Sequence, residues 1–207
     1  MTNYSYLALG DSYTIGEQVP FAENFPNQTV QILRRSGLAF CAAEIIAQTG
    51  WTTDDLSNAI EKTTRLEIYD TVSLLIGVNN QYRGRSATGF KIEFEQLLQK
   101  AIQFSGNRPV RVFVLSIPDW GVTPFAEARL PDGQGKDRKQ VAAEIDEYND
   151  ICKRSAAAFK TNFINITTSQ REDGDKAEFL AADGLHPSGR EYKKWAAELA
   201  DAILKTL

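Results

Sequence analysis

Short apolar runs alternate with longer segments of helical period along this chain, and that alternation restricts the fold to a parallel sheet wrapped by helices. Strands are predicted at Tyr4 to Leu9, around Leu38 to Ala47, at Thr71 to Ile76, at Val110 to Ile117 and at Asn162 to Ile166. The fourth run is nearly all apolar, as a strand covered on both faces must be. Between the runs, proline in the first turn opens a helix at Phe25-Pro26 that Gly37 stops just beyond Arg35. Thr52 with Asp55 reads as a capping box for a helix to about Leu66 with Leu56, Ala59 and Ile60 at core spacing. From Ala87 to Phe104, residues Phe90, Phe94, Leu97, Leu98, Ala101 and Ile102 recur at spacings that align them on one face. A further helix spans Asp137 to Phe159, and Ser188 with Glu191 reads as a capping box for a last one ending near Leu204. The simplest architecture is a three-layer α/β/α sandwich with five parallel strands, which binds ligands at the strand carboxyl ends.

No composition break or linker divides the 207 residues, so residues 1–207 are expected to form a single domain. The net charge of −4 and scattered basic residues argue against a nucleic-acid partner. No apolar run is long enough for stable membrane insertion. The first residues lack a basic start followed by an apolar stretch, which leads to the expectation of a cytoplasmic protein. Cys41 and Cys152 are expected as free, core-facing thiols, one on a strand and one on a helix. Neither has the spacing of a zinc site or a redox pair. The proline- and glycine-rich connection Pro118 to Lys136 exceeds a routine loop and is expected to be functional or mobile.

Chemistry concentrates at four places. The first strand runs into Gly10-Asp11-Ser12, and the only histidine, His186, lies in Asp183-Gly184-Leu185-His186-Pro187. A hydroxyl, an imidazole and a carboxylate are the parts that make serine a nucleophile, and with one histidine the imidazole base has one candidate. Gly50 follows the second strand and Asn79 the third, so all four places converge on one sheet edge. Ser12 would attack a carbonyl carbon, His186 would carry the proton, and Asp183 would hold the imidazole tautomer. The backbone N–H groups of Ser12 and Gly50 and the Asn79 amide would form the oxyanion hole. Asp11 is expected to bond backbone around the turn and so fix Ser12 in place. The chemistry requires no metal and no cofactor.

In these residues the chain resembles the SGNH or GDSL hydrolases, named for a serine, glycine, asparagine and histidine in four blocks. Ala8-Leu9-Gly10-Asp11-Ser12, Gln48-Thr49-Gly50-Trp51-Thr52, Ile76-Gly77-Val78-Asn79-Asn80 and Asp183-Gly184-Leu185-His186-Pro187 correspond to the blocks in the family's order. The resemblance implies a flavodoxin-like sandwich and an activity among esterase, lysophospholipase, thioesterase and carbohydrate deacetylase. Two positions depart from the pattern: Tyr13 follows the serine where an aliphatic residue is usual, and Asn80 replaces an aspartate that would brace the loop presenting Asn79.

Tyr13, Trp51, Tyr82, Trp120 and Phe125 are expected at the active edge as substrate-binding residues, because large amphipathic rings line many small-molecule sites. Arg83 and Arg85 are expected to be solvated rather than to meet an anionic headgroup. The expected function is hydrolysis of small or medium carboxylic esters through an acyl-Ser12 intermediate, with a small-molecule ester as the partner. A lysophospholipase, a thioesterase or an acyltransferase would use the same serine, and a lipid- or carbohydrate-binding module would keep the fold without the turnover.

Overall fold

The computed structural model describes residues 3–127 and 137–207. Its centre is a sheet of five parallel strands: β1 (Tyr6–Gly10), β2 (Glu44–Ala47), β3 (Thr71–Leu75), β4 (Val112–Leu115) and β5 (Asn162–Ile164), in the order β2-β1-β3-β4-β5. This is the flavodoxin-like arrangement, in which the chain crosses from β1 outward to β2, returns to β3, and then proceeds to the other edge. Every residue of β1, β3 and β4 is buried; β1 and β4 are almost wholly apolar, and in β3 the buried Ser73 hydroxyl bonds the Tyr6 hydroxyl of β1 at 2.7 Å.

The helices are α1 (Ser12–Ile15), α2 (Phe25–Arg35), α3 (Thr53–Lys62), α4 (Val78–Tyr82), α5 (Ala87–Phe104), α6 (Arg138–Ala158), α7 (Thr167–Asp173) and α8 (Gly189–Leu204). On one face α2 packs against α8; on the other α5 packs against both α3 and α6. Aromatic rings knit the first face. Trp195, fully buried, lies 6.3 Å from Phe25, 5.1 Å from Tyr192 and 6.2 Å from Tyr13. On the opposite face Phe90 of α5 stacks on Tyr148 of α6 at 4.3 Å. Among the described residues, no helix is long and apolar enough to cross a membrane.

Several boundaries differ from the sequence reading. The second strand is only Glu44–Ala47; residues 38–43 approach β1 through a single bridge between Tyr4 and Phe40. Cys41 lies in that segment and is exposed, contrary to expectation, whereas Cys152 on α6 is buried and its thiol pKa is pushed up by burial. The third helix ends at Lys62, because the backbone turns extended at Thr63 (φ −88°, ψ 128°) after its N–H has closed the last turn on the Ala59 carbonyl. Its predicted N-terminal cap is present, with the Thr52 N–H and hydroxyl donating to Asp55 Oδ2 at 3.1 and 2.7 Å. The cap predicted for the last helix is not. There the Ser188 hydroxyl donates to the Glu178 carbonyl at 2.8 Å, and Glu191 turns inward to accept from Trp195 Nε1 at 2.9 Å and to pair with Lys194. Burying the large Trp195 ring required an acceptor for its N–H, and Glu191 one turn earlier supplies it.

Candidate active site

The carboxyl ends of β1, β2 and β3 open into one cavity of about 220 Å³. It is lined by Ser12, Tyr13, Thr49, Gly50, Val78 and Asn79, which follow those strands, and by Tyr82, Trp120, Phe125, Leu185 and His186. β1 and β3 are neighbours from which the chain departs toward opposite edges, the position where open parallel sheets leave a crevice.

Ser12 is the first residue of α1, a single helical turn immediately after β1. Asp11 caps that turn, accepting from the Tyr13 N–H at 3.1 Å, so its expected role of fixing the turn is met. The carboxyl is 1% exposed and its Oδ2 has no protein partner among the described residues. Burial pushes its pKa up to about 7, against the opposing pull of the Tyr13 and Gly77 N–H groups.

His186 lies in a turn anchored at both sides. Its carbonyl accepts from Ala181 N–H at 2.8 Å, and Leu180 bridges to Pro187. Its Nδ1 lies 2.6 Å from Asp183 Oδ2, while Asp183 Oδ1 accepts from the backbone N–H groups of Leu185 and His186 at 3.0 and 2.9 Å. Partial burial opposes ionisation of Asp183, but the bonds from the His186 ring and these two N–H groups outweigh it and hold the carboxyl below its ordinary pKa. The His186 ring rests 5.4 Å from Tyr13, which links it through Trp195 to the core.

Asn79 is carried on α4, a short helix the sequence reading took for loop. Its Nδ2 donates to the Trp51 carbonyl at 2.9 Å, one of the two N–H bonds the amide can make, and the residue lines the cavity. Gly50 has φ +83°, a left-handed conformation that favours glycine. Asn80 braces this region after all: its Oδ1 accepts from Thr53 N–H at 3.1 Å and its Nδ2 donates to the Thr53 hydroxyl at 2.6 Å. The carboxylate absent from position 80 is supplied by Glu93, which the Thr53 hydroxyl contacts.

Among the expected substrate-binding rings, Tyr13, Tyr82, Trp120 and Phe125 line the cavity. Trp51 does not; its side chain packs on the core and only its carbonyl faces the site, through Asn79. Neither arginine lines the cavity; both are partly solvent-exposed, as expected, and are also tied to the protein, Arg85 by pairing with Asp54 at 2.6 Å and Arg83 by donating to the Gly50 carbonyl at 2.7 Å. Thr49, Val78 and Leu185 also line the cavity; they fall inside three of the blocks, but a small or aliphatic side chain reads the same in sequence whether it faces a core or a pocket.

Of the long connection, residues 128–136 lie outside the described residues. The part that precedes them is pinned. Trp120 Nε1 donates to Gln81 Oε1 at 2.8 Å, Asp119 pairs with Arg171 at 2.8 Å, and Arg138 donates to the carbonyls of Gly121 and Val122 at 2.6 and 2.8 Å.

The GDSL-like lipase/acylhydrolase family model matches residues 8–194, which includes all four blocks. The chain belongs to this family. It is an ester-hydrolysing serine hydrolase of the GDSL type. No curated protein matches this GDSL hydrolase in sequence. Similar solved structures include TesA, with TM-score 0.74 and 17% identity over 98% of this chain and 99% of that one. The lipase/acylhydrolase from Enterococcus faecalis has TM-score 0.72 and 21% identity over 98% and 95%. Axe2, an acetylxylan esterase from Geobacillus stearothermophilus, has TM-score 0.72 and 17% identity over 97% and 94%. At these identities the three share the fold of this GDSL hydrolase, and the substrate is a matter for its own cavity.

Proposed function

We propose that this hydrolase cleaves small or medium carboxylic esters by a ping-pong route through an acyl-Ser12 intermediate. His186, with its Nδ1–H held by Asp183, takes the Ser12 proton at Nε2 as the hydroxyl oxygen attacks the carbonyl carbon. Negative charge then gathers on the former carbonyl oxygen. The N–H groups of Ser12 and Gly50 and the free N–H of the Asn79 amide are donors fixed before the reaction begins. Collapse of the tetrahedral intermediate expels the alcohol, which leaves with the proton from His186. Water repeats the sequence with the imidazole first as base and then as acid, releasing the carboxylic acid and restoring Ser12.

The size of substrate is carried by one observation. The cavity, at about 220 Å³, is smaller than the roughly 300–1,000 Å³ typical of drug-sized ligands, and its Trp120 wall is pinned by Gln81. A held wall of Trp120, Tyr82 and Phe125, with Tyr82 and Phe125 meeting the Trp120 ring edge-on at 5.3 and 6.1 Å, favours a short acyl group over a long chain. Hydrolysis of p-nitrophenyl esters from acetate to palmitate, with Ser12→Ala as the blank, tests both parts. Turnover should be greatest among the shorter esters, fall steeply toward palmitate, and vanish in Ser12→Ala and His186→Ala. Rates that climb with chain length would refute the size assignment; turnover in both variants close to that of the unaltered protein would refute the nucleophile and base.

A further inference from the structure

Gly50 is held from behind. In the left-handed region a glycine has wide freedom, so the direction of its N–H depends on what restrains the neighbouring peptides. Two successive carbonyls of this segment are held by side chains from one short stretch of chain. The Trp51 carbonyl accepts from Asn79, and the Gly50 carbonyl accepts from Arg83 Nη2 at 2.7 Å. The same Nη2 is the nearest atom to the space a Gly50 side chain would enter, at 3.7 Å, so the guanidinium lies directly against the glycine. Arg83 is in turn fixed by its own surroundings. Its N–H closes α4 on the Asn79 carbonyl at 3.1 Å, and its Nη1 lies 3.8 Å from Asp55 Oδ2, the oxygen that caps α3 through Thr52.

From this geometry we infer that Arg83 is a positioning residue for the oxyanion hole, locking the Gly50 segment to the helix that carries Asn79 so that the two donors keep one fixed spacing. The inference rests on the assignment of Gly50 and Asn79 as oxyanion donors. A planar, always-charged guanidinium suits the task, since charge-assisted bonds to a carbonyl are shorter and stronger than neutral ones. Arg83 is half-exposed and touches no reacting atom. Its effect therefore reaches the reaction through the direction of the Gly50 N–H.

The test compares Arg83→Met, Arg83→Lys and Asn79→Ala on p-nitrophenyl acetate, with thermal midpoints and the affinity of a methyl trifluoromethyl ketone, whose serine adduct carries the same oxyanion. Arg83→Met should lower kcat by about ten- to a hundredfold, less than the hundredfold or more typical for removing a donor outright, with KM changed by no more than about twofold. The ketone should weaken by the same factor as kcat, and Arg83→Lys should recover most of the loss. A kcat within about twofold of the unaltered protein, in an Arg83→Met variant whose Asn79→Ala counterpart has lost about a hundredfold, would overturn the role of Arg83 alone. A loss confined to KM or to the thermal midpoint, with ketone affinity unchanged, would overturn it as well. Full activity in Asn79→Ala would overturn the donor assignment and the inference together.

Discussion

Asp11→Asn isolates the most unusual charge in the protein. The carboxyl is buried against the first turn after β1, with one oxygen bonded to the Tyr13 N–H and the other without a hydrogen-bond partner among the described residues. Its pKa rises from 3.8 to about 7 on folding, and at 1.36 kcal/mol per unit this amounts to about 4 kcal/mol. The sign follows from proton binding. Below pH 4 the group is protonated in both the folded and the unfolded chain, and its burial carries no ionic penalty. As pH rises, the unfolded chain gives up its proton at the ordinary value while the folded protein keeps it until about pH 7. Unfolding therefore releases a proton across this window, and stability falls with rising pH before levelling off above it. Asp183 and Asp54, held below their ordinary range, act in the opposite sense at more acid pH, where their contribution is lost as pH falls. Glu198, raised by burial, acts in the same sense as Asp11, so the comparison must be between two proteins rather than two pH values. Asparagine keeps the oxygen that Tyr13 needs and cannot ionise. It places an NH₂ at the unpaired position, an offset constant with pH. Urea unfolding at pH 4, 5, 6, 7 and 8 should show the unaltered protein losing about 4 kcal/mol relative to Asp11→Asn between the lowest and highest pH, most of it between pH 4 and 7. Parallel curves, differing by less than about 1 kcal/mol in their pH dependence, would refute the account of a buried carboxyl that stays neutral.

Two further substitutions probe the supports of the site. Gly77 has φ +129°, and a side chain there would meet the Phe90 ring at 2.6 Å and Ile117 Cδ1 at 2.8 Å, so Gly77→Ala should destabilise by about 2 kcal/mol or more and lower turnover by shifting α4. A urea midpoint unchanged from that of the unaltered protein would show that the turn has slack. Asp183→Asn retains an oxygen for the Leu185 and His186 N–H groups but loses the negative acceptor at His186 Nδ1, so kcat should fall by up to about ten-thousandfold with little change in thermal midpoint. Steady-state kinetics beside a thermal melt separate that outcome from simple unfolding.

Features carried by residues close together in sequence, or repeated at regular spacing, are legible in the sequence itself. The apolar runs that form β1 and β4 are buried on both faces, and a strand in that setting shows no polar alternation. The last three blocks of the site sit just beyond strand or loop boundaries that glycine and turn residues mark locally, and the only histidine left no choice of imidazole. What sequence left open was decided by partners brought from far along the chain. Asn80 reads as a lost carboxylate until Glu93, thirteen residues on, is found beside it. Trp51 and Trp120 have the same chemistry on paper, yet only the buried Trp120, whose indole N–H is held by Gln81 on α4, lines the cavity, while Trp51 packs at the edge of the core. Arg83 reads as a solvated surface charge until β2 and β3 set their loops side by side and the Gly50 carbonyl lies against it. Periodicity is written in neighbours, and so strands and helices can be read from one stretch at a time. A hydrogen bond between two loops exists only after the sheet has fixed their distance, and that distance is a property of the folded chain as a whole.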